Sequence, residues 1–395
     1  MPSPLAGIPQ GFRFAAVASK AKYRNRLDLG LIVADSFSGG AGVFTQNLCQ
    51  AAPVLWSRPK TSAGRAILVN AGQANAQTGL KGYADCEKSA ELLGKILKLN
   101  PQEILLASTG VIGPPLNLAA ITKALPSLVK ELDSSPQAWE AFSQAILTTD
   151  TRPKTASYTL EDPPCTFIGC TKGAGMIAPN MATMLAFILT DAEVSSQTLQ
   201  RVLSQSVSLT FNRITVDGDT STNDSVFLLA TGASNSCISE DTPEGFQKLE
   251  EAVFSLCSEL ASQIVSDAEG GKHVVKIVVT GANSQEEAHQ AARTIADSPL
   301  VKTAIFGADP NWGRILAALG RSGAKFDPYQ VDLDLDEIPL VRLGVDAGFE
   351  DNCKTVMRKK NYTLTVHLKN GTFKDSILTS DLSHEYVFIN ASYRS

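Results

Sequence analysis

The sequence predicts a mixed α/β fold, and three observations carry that prediction. Strand-like and helix-like segments alternate along all 395 residues. One long segment repeats its apolar residues at the 3.6-residue helical period, at Leu249, Val253, Leu256, Leu260 and Ile264. An Asn370-Gly371 pair sits between two alternating apolar runs, a hairpin signal. Hydrophobic residues make up 44% and charged residues 19%, enough apolar material for a sizeable core and too little charge for a disordered chain.

Taken in order, Ala66–Val69 reads as a short strand entering a polar loop, Asn70 to Gly79, and Asp85–Leu99 as a helix with Ala90, Leu93, Ile96 and Leu97 on one stripe. Ile104–Ala107 is a strand that ends in Ser108-Thr109-Gly110. Helices follow at Leu118–Leu132 and Pro136–Leu147, then strands at Thr166–Cys170 and Met184–Leu189 around a glycine-rich segment. The second half opens with helices at Gln197–Leu209 and Gly245–Val265, then a strand at Val274–Thr280 and helices at Glu286–Ala296 and Trp312–Leu319. Strands Tyr362–Leu368 and Thr372–Leu378 flank the Asn-Gly turn, and Tyr386–Ile389 is apolar enough for a final strand.

Charge and motif content exclude several functions. Lys+Arg 35 against Asp+Glu 40 gives a net charge of −5 with no basic run, so the footprint of a general nucleic-acid binder is missing. No apolar run approaches the ~18 residues of a membrane helix. Met1-Pro-Ser-Pro-Leu5 has no charged and apolar leader pattern, which points to the cytoplasm. Seven cysteines are scattered without a Cys-x-x-Cys and read as reduced core thiols; four histidines show no ligand spacing, so no metal is expected. Gly173-Ala-Gly175 and Gly270-Gly-Lys-His273 lack the spacing of nucleotide loops. Asp217-Gly-Asp219-Thr-Ser221-Thr-Asn223 has calcium-like oxygens without the Gly and Glu that such a loop needs.

The segment Lys172-Gly-Ala-Gly-Met-Ile-Ala-Pro-Asn180-Met-Ala-Thr183-Met-Leu stands apart. A small residue, Ala182, precedes Thr183 at the mouth of an apolar strand. Such a threonine can attack its own preceding carbonyl, move the acyl group from nitrogen to oxygen, and let water split the chain. The new N-terminal threonine then has a hydroxyl nucleophile and an α-amine base, and the amine pKa of ~7.7–8.0 suits that work. On spacing alone, a glycine-rich turn into a buried strand is the simpler reading.

The wording of the segment closely resembles the self-processing site of the ornithine acetyltransferase (glutamate N-acetyltransferase) family, Lys-Gly-x-Gly-Met-x-x-Pro-x-x-Ala-Thr-Met-Leu. Further blocks resemble the family in order along the chain: Gly42-Val-Phe-Thr-Gln-Asn47, Asn70-Ala-Gly-Gln-Ala-Asn75, Ser108-Thr-Gly-Val-Ile-Gly113 and Thr148-Thr-Asp-Thr151. Thr215 to Asp224, Asp309-Pro-Asn-Trp-Gly-Arg314 and the terminal Ile389 to Ser395 complete the set.

The resemblance implies a layered α/β sandwich of the self-processing D-aminopeptidase and ornithine acetyltransferase type with a smaller second domain. It implies self-cleavage between Ala182 and Thr183, giving an α chain of residues 1–182 and a β chain of 183–395 that stay packed together, with two such pairs forming a heterotetramer. It makes Thr183 the nucleophile, acetylated by N-acetylornithine and deacylated by glutamate, and Thr109 with Gly110 the oxyanion hole. Thr148, Lys172, Thr183, Glu269, Asn390 and Ser395 match its substrate contacts, with Glu269 the partner of the ornithine δ-ammonium. No cofactor is implied. The family contains both members that accept acetyl-CoA as a donor and members that do not, and no coenzyme A motif is readable. Where the family usually reads Glu-Gly-Ala-Thr-Lys, this chain has Glu269-Gly-Gly-Lys-His273. The rival readings are a self-processing aminopeptidase of the same architecture, with water as acceptor, and an uncleaved binding protein.

Overall fold

The computed structural model describes residues 7–178 and 184–392, which form two compact units. Of the described residues, the first takes those up to 212 and 219–264; the second, smaller one takes 213–218 and 265–392.

In chain order the first unit contains β1 (Phe12–Val17), β2 (Leu29–Ala34), β3 (Gly39–Phe44), α1 (Ala52–Ser57), β4 (Ala66–Gln73), α2 (Gly79–Leu97) and β5 (Ile104–Val111). There follow α3 (Leu118–Lys130), α4 (Pro136–Ala145), β6 (Lys154–Glu161), β7 (Pro164–Lys172), β8 (Leu185–Thr190) and α5 (Ser196–Leu209). The second unit's β9 (Ile214–Thr215) intervenes before β10 (Ser225–Ala230) and α6 (Pro243–Ser266), whose last two residues pass into the second unit.

Two sheets face each other in this unit, in strand orders β1-β2-β4-β5 and β3-β10-β8-β7-β6. Alternation along the strands explains the layering: Ile67 and Val69 of β4 point to the shared core, Ala66 and Leu68 to the opposite face. The shared core joins Phe12, Phe14, Ile32 and Leu105 of one sheet to Ile168, Leu185, Phe187 and Phe227 of the other. An aromatic series, Phe14–Trp139–Phe142–Phe187–Phe227, runs through it at centroid spacings of 5.0 to 5.8 Å. The outer face of the first sheet is covered by Trp56 of α1, Ala90 and Leu93 of α2, and Ile121, Leu125 and Leu128 of α3. On the second sheet α6 crosses so close to β7 that a Cβ on Gly169 would lie 2.9 Å from Leu260 Cδ1. The predicted layered sandwich is therefore what forms.

The second unit is a seven-stranded sheet covered by helices. Its strands are β9, β11 (Val274–Ala282), β12 (Asp332–Leu335), β13 (Ile338–Arg342), β14 (Val345–Asp346), β15 (Asn361–His367) and β16 (Phe373–Ser380), in the order β14-β13-β12-β15-β11-β16-β9. Helices α7 (Gln285–Ala296), α8 (Pro299–Phe306), α9 (Trp312–Gly320) and α10 (Glu350–Met357) contribute Ala288, Ile295, Ile305, Leu319 and Val356 to a core with Val275, Ile277 and Val279 of β11. A last helix, α11, spans His384–Ser392.

Four expectations are corrected. First, β15 and β16 do not form a hairpin: β11 lies between them, parallel to β15 and antiparallel to β16. The Asn370-Gly371 turn instead spans the end of β11, where both of its N–H groups donate to the Gly281 carbonyl at 2.8 Å. Second, Tyr386–Ile389 is helical, inside α11, where Val387 and Phe388 are 60% and 66% exposed. Third, β4 and β5 run past their predicted ends, because Asn70–Gln73 pairs in parallel with Ser108–Val111 and so continues the ladder. Fourth, Cys49 and Cys237 are exposed, while the other five cysteines are buried; all seven are free thiols. No helix among the described residues is long and apolar enough to cross a membrane.

Candidate active site

Thr109 lies in the interior of β5, buried, and Gly110 follows it at φ +123°. A Cβ on Gly110 would stand 2.3 Å from the carbonyl carbon of Gly72 on the paired strand, so the two backbones meet where only glycine fits. Neighbouring side chains brace this stretch. Asn223 donates to the carbonyls of Ala74 (2.6 Å) and Ser108 (2.9 Å), and Ser108 Oγ donates to Asn70 Oδ1 at 2.6 Å.

Lys172, the last residue of β7, reaches across to this strand. Its Nζ donates to Thr109 Oγ1 at 3.1 Å and to Thr148 Oγ1 at 2.8 Å. An ammonium can only donate. Both hydroxyls therefore accept from Lys172 and keep their own protons for some other acceptor. Three of the predicted residues thus share one buried cluster, with Gly110 adjacent.

Beneath the cluster lies Asp150, whose side chain is fully buried. Its Oδ2 is 3.9 Å from Lys172 Nζ and accepts the Thr148 N–H at 3.1 Å. Its Oδ1 accepts Lys154 Nζ and the Gly173 N–H, each at 2.6 Å. Burial by itself pushes the Asp150 carboxyl up, but the Lys172 and Lys154 charges and these hydrogen bonds overcome it and hold the group well below the usual carboxylate range. A second buried acid, Asp224, behaves oppositely. Burial pushes its carboxyl well up, outweighing the Met184 N–H that donates to Oδ1 at 2.8 Å and the Lys172 charge. Its Oδ2 is buried without a hydrogen-bond partner among the described residues.

In the second unit, Glu269 and Asn390 are brought together. Asn390 Nδ2 donates to Glu269 Oε2 at 2.7 Å and to the Tyr386 carbonyl at 3.0 Å. Gly270 makes this approach possible: at φ +67°, its missing Cβ would sit 2.6 Å from both Ser383 Oγ and the Tyr386 N. The start of α11 consequently lies directly on the turn after Glu269. That turn is fixed by the Lys272 and His273 N–H groups, which donate to Asp381 Oδ1 at 2.7 and 2.8 Å. The side chains that depart from the family pattern are therefore not what holds Glu269 there. Tyr386 OH donates to Asp217 Oδ2 at 3.0 Å, anchoring the helix to the turn that begins at Asp217. No group of three or more His, Cys, Asp and Glu among the described residues is placed to hold a metal.

Ala182, Thr183 and Ser395 lie outside the described residues. Sequence reasoning missed Asp150, Lys154 and Asp224 as members of the site. The i,i+4 spacing of Asp150 and Lys154 was the available signal, but in a sequence it looks like any surface pair.

The comparisons with known proteins bear on the whole chain. The model of the ArgJ family matches residues 13–395. The arginine biosynthesis bifunctional protein ArgJ of Desulfotalea psychrophila is 47% identical over 393 residues, 98% of this chain and 99% of that protein. Its namesake from Geobacter sulfurreducens is 44% identical over 392 residues, at 98% and 99% coverage. The crystal structure of the same-named protein from Bacillus halodurans superposes with a TM-score of 0.51 at 39% identity, covering 53% of this chain and 100% of the solved one. With a family model spanning nearly the full length and relatives this similar over 98% of the chain, this chain belongs to the ArgJ family.

Proposed function

We propose that this chain is a glutamate N-acetyltransferase that moves an acetyl group from N-acetylornithine to glutamate through an acetyl ester on Thr183. The nucleophile is made by self-cleavage between Ala182 and Thr183. The observation that carries the reading is the Lys172 ammonium held between Thr109 and Thr148, with both hydroxyl protons left to serve another acceptor. Acyl transfer passes through a tetrahedral oxyanion, and preorganised donors in a buried site stabilise that charge without reorganising. Thr109 Oγ1–H and the Gly110 N–H supply the donors, and Lys172 holds Thr109 in place. Glu269, steadied by Asn390, is the partner for the δ-ammonium of ornithine, and Ser395 serves a substrate carboxylate.

Membership of a family whose relatives are named bifunctional proteins of arginine biosynthesis supports acetyl-CoA as a second donor to the same threonine. A cytoplasmic (αβ)2 assembly of the two cut chains, needing no cofactor, completes the proposal. The test is direct. Mass spectrometry of the purified protein should find two chains, the second starting at Thr183, and Thr183→Ala should give one uncut, inactive chain. Steady-state kinetics with N-acetylornithine and glutamate should give parallel double-reciprocal lines. Two chains from Thr183→Ala, or intersecting lines, overturn the mechanism. Glutamate-independent release of acetate at the full rate would favour the aminopeptidase-like hydrolase.

A further inference from the structure

The reaction proposed above passes one acetyl group between two amino acids whose side chains are alike in reach and opposite in charge. In ornithine the tail ends in an ammonium; in glutamate a tail of the same number of bonds ends in a carboxylate. A carboxylate such as Glu269 suits the first and repels the second. The α-carboxylate is common to both and discriminates nothing, so the acceptor calls for a cation of its own. Lys172 is already engaged by Thr109 and Thr148.

Arg26 is placed for that work. It stands half-buried on the loop between β1 and β2, and its Nη2 donates to the Leu147 carbonyl at 2.6 Å. Leu147 immediately precedes Thr148, so the guanidinium lies beside the hydroxyl cluster. A cleft of about 530 Å³ opens here, lined by Asn25, Arg26 and Leu27 of the loop and by Gln144, Leu147 and Asp150 of the chain leading out of α4. The loop is held in place at several points. Asp28 Oδ1 accepts the Ser19 N–H at 2.6 Å and joins its ends, and Asn117 Nδ2 donates to the Ala21 carbonyl at 3.2 Å. It packs on Gly72, where a Cβ would lie 3.0 Å from both Lys22 Cβ and Tyr23 Cε2, and Gly72 is the residue that Gly110 meets. The Tyr23 ring braces Arg26, with the guanidinium carbon 4.6 Å from its centroid. Among the described residues Nη2 alone of the Arg26 nitrogens is hydrogen-bonded, which leaves the rest of the planar fork for a carboxylate. Lys20 and Arg24, exposed on the same loop, strengthen its positive field.

We infer that the Arg26 cleft seats the γ-carboxylate of glutamate and that Arg26 selects the acceptor. The inference rests on the acetyl-transfer reading given above. Arg26→Gln removes the charge and keeps an amide able to donate to Leu147. KM for glutamate should rise about 10- to 100-fold while KM for N-acetylornithine changes less than about threefold. The ratio of kcat/KM for glutamate over glutamine should fall at least about tenfold, because glutamine has no charge to lose. A merely structural Arg26 would leave that ratio untouched. Arg26→Lys, which keeps the charge without the fork, should restore part of the ratio, and it decides the matter should Arg26→Gln fail to fold in a thermal melt. Calorimetry with glutarate, which carries both carboxylates and no amine, reads the site without turnover: its affinity should drop at least about tenfold in Arg26→Gln. Equal KM effects on both substrates, an unchanged glutamate-to-glutamine ratio, or equal glutarate affinities overturn the inference. If the wild type transfers no acetyl to glutamate, the acetyl-transfer reading falls, and the glutarate measurement then decides alone whether Arg26 holds a dicarboxylate.

Discussion

Replacing Glu269 by Gln isolates one charge with almost no change of shape. In the structure Glu269 Oε2 already accepts the Asn390 amide at 2.7 Å, so the proposed contact with the δ-ammonium of N-acetylornithine falls to Oε1. A glutamine has one acceptor oxygen where glutamate has two. In Glu269→Gln the Asn390 amide and the substrate ammonium must therefore compete for it, and the side-chain NH2 faces whichever loses. A hydrogen bond between charged partners contributes ~1.5–3 kcal/mol, so kcat/KM for N-acetylornithine should fall about 10- to 150-fold. Glutamate, which carries no δ-ammonium, should lose much less in the second half-reaction. The assay is steady-state kinetics with each substrate varied at saturating partner, alongside a thermal melt to confirm the fold. Equal losses for both substrates would refute the argument and make Glu269 a support for α11 instead of a substrate contact.

Two further predictions concern the frame of the site. Gly110→Ala must place a side chain at φ +123° and 2.3 Å from the Gly72 backbone, which cannot move without breaking the β4–β5 ladder. A strained backbone position costs ~1–3 kcal/mol before the clash is counted, so the melting temperature should drop by about 2–12 °C, and kcat should fall with it. An unchanged melt and rate would contradict the close approach. In the second unit Lys302 is buried with Nζ on Thr379 Oγ1 at 2.8 Å, and burial lowers its pKa from the ordinary 10.5 to about 8 against the opposing pull of Asp297, Asp217 and Asp381. Between those two values the unfolded chain binds more protons than the folded one, so this group makes stability rise with pH across that window. The stability difference between the wild type and Lys302→Met should climb from about pH 8 to about pH 10.5; a flat difference would show that Lys302 is solvated.

Much of this site was legible because its chemistry depends on local words. The Lys172 to Leu185 segment, Ser108-Thr-Gly110 and Thr148 could be singled out without coordinates, and three of those side chains meet in one place. The charges beneath them were not legible, because a sequence shows that Asp150 and Lys154 are four apart but not that both are buried. The errors in the second unit share a cause. Tyr386-Val-Phe-Ile389 has the aromatic and β-branched content of a strand, yet Gly270 and Asp217 offer α11 its contacts, and tertiary context overrides propensity. The Asn370-Gly371 turn was read as local, but a strand from almost a hundred residues earlier, β11, occupies the place between its arms.

The position of β8 has a consequence for the order of the folding reaction. This strand is paired on both edges, with Phe187 opposite Cys170 of β7 and opposite Phe227 of β10. The proposed cut falls just upstream of it, so β7 belongs to one product and both β8 and β10 to the other. Before the cut, assembling that sheet is a first-order event within one molecule, independent of dilution. Afterwards the same ladder joins two separate polypeptides, and regaining it from the denatured state becomes a second-order encounter that slows as the protein is diluted. If the proposed cut takes place, the backbone bond is a folding tether used once, and the cut protein would then be held by the barrier to its unfolding and not by an ability to start again.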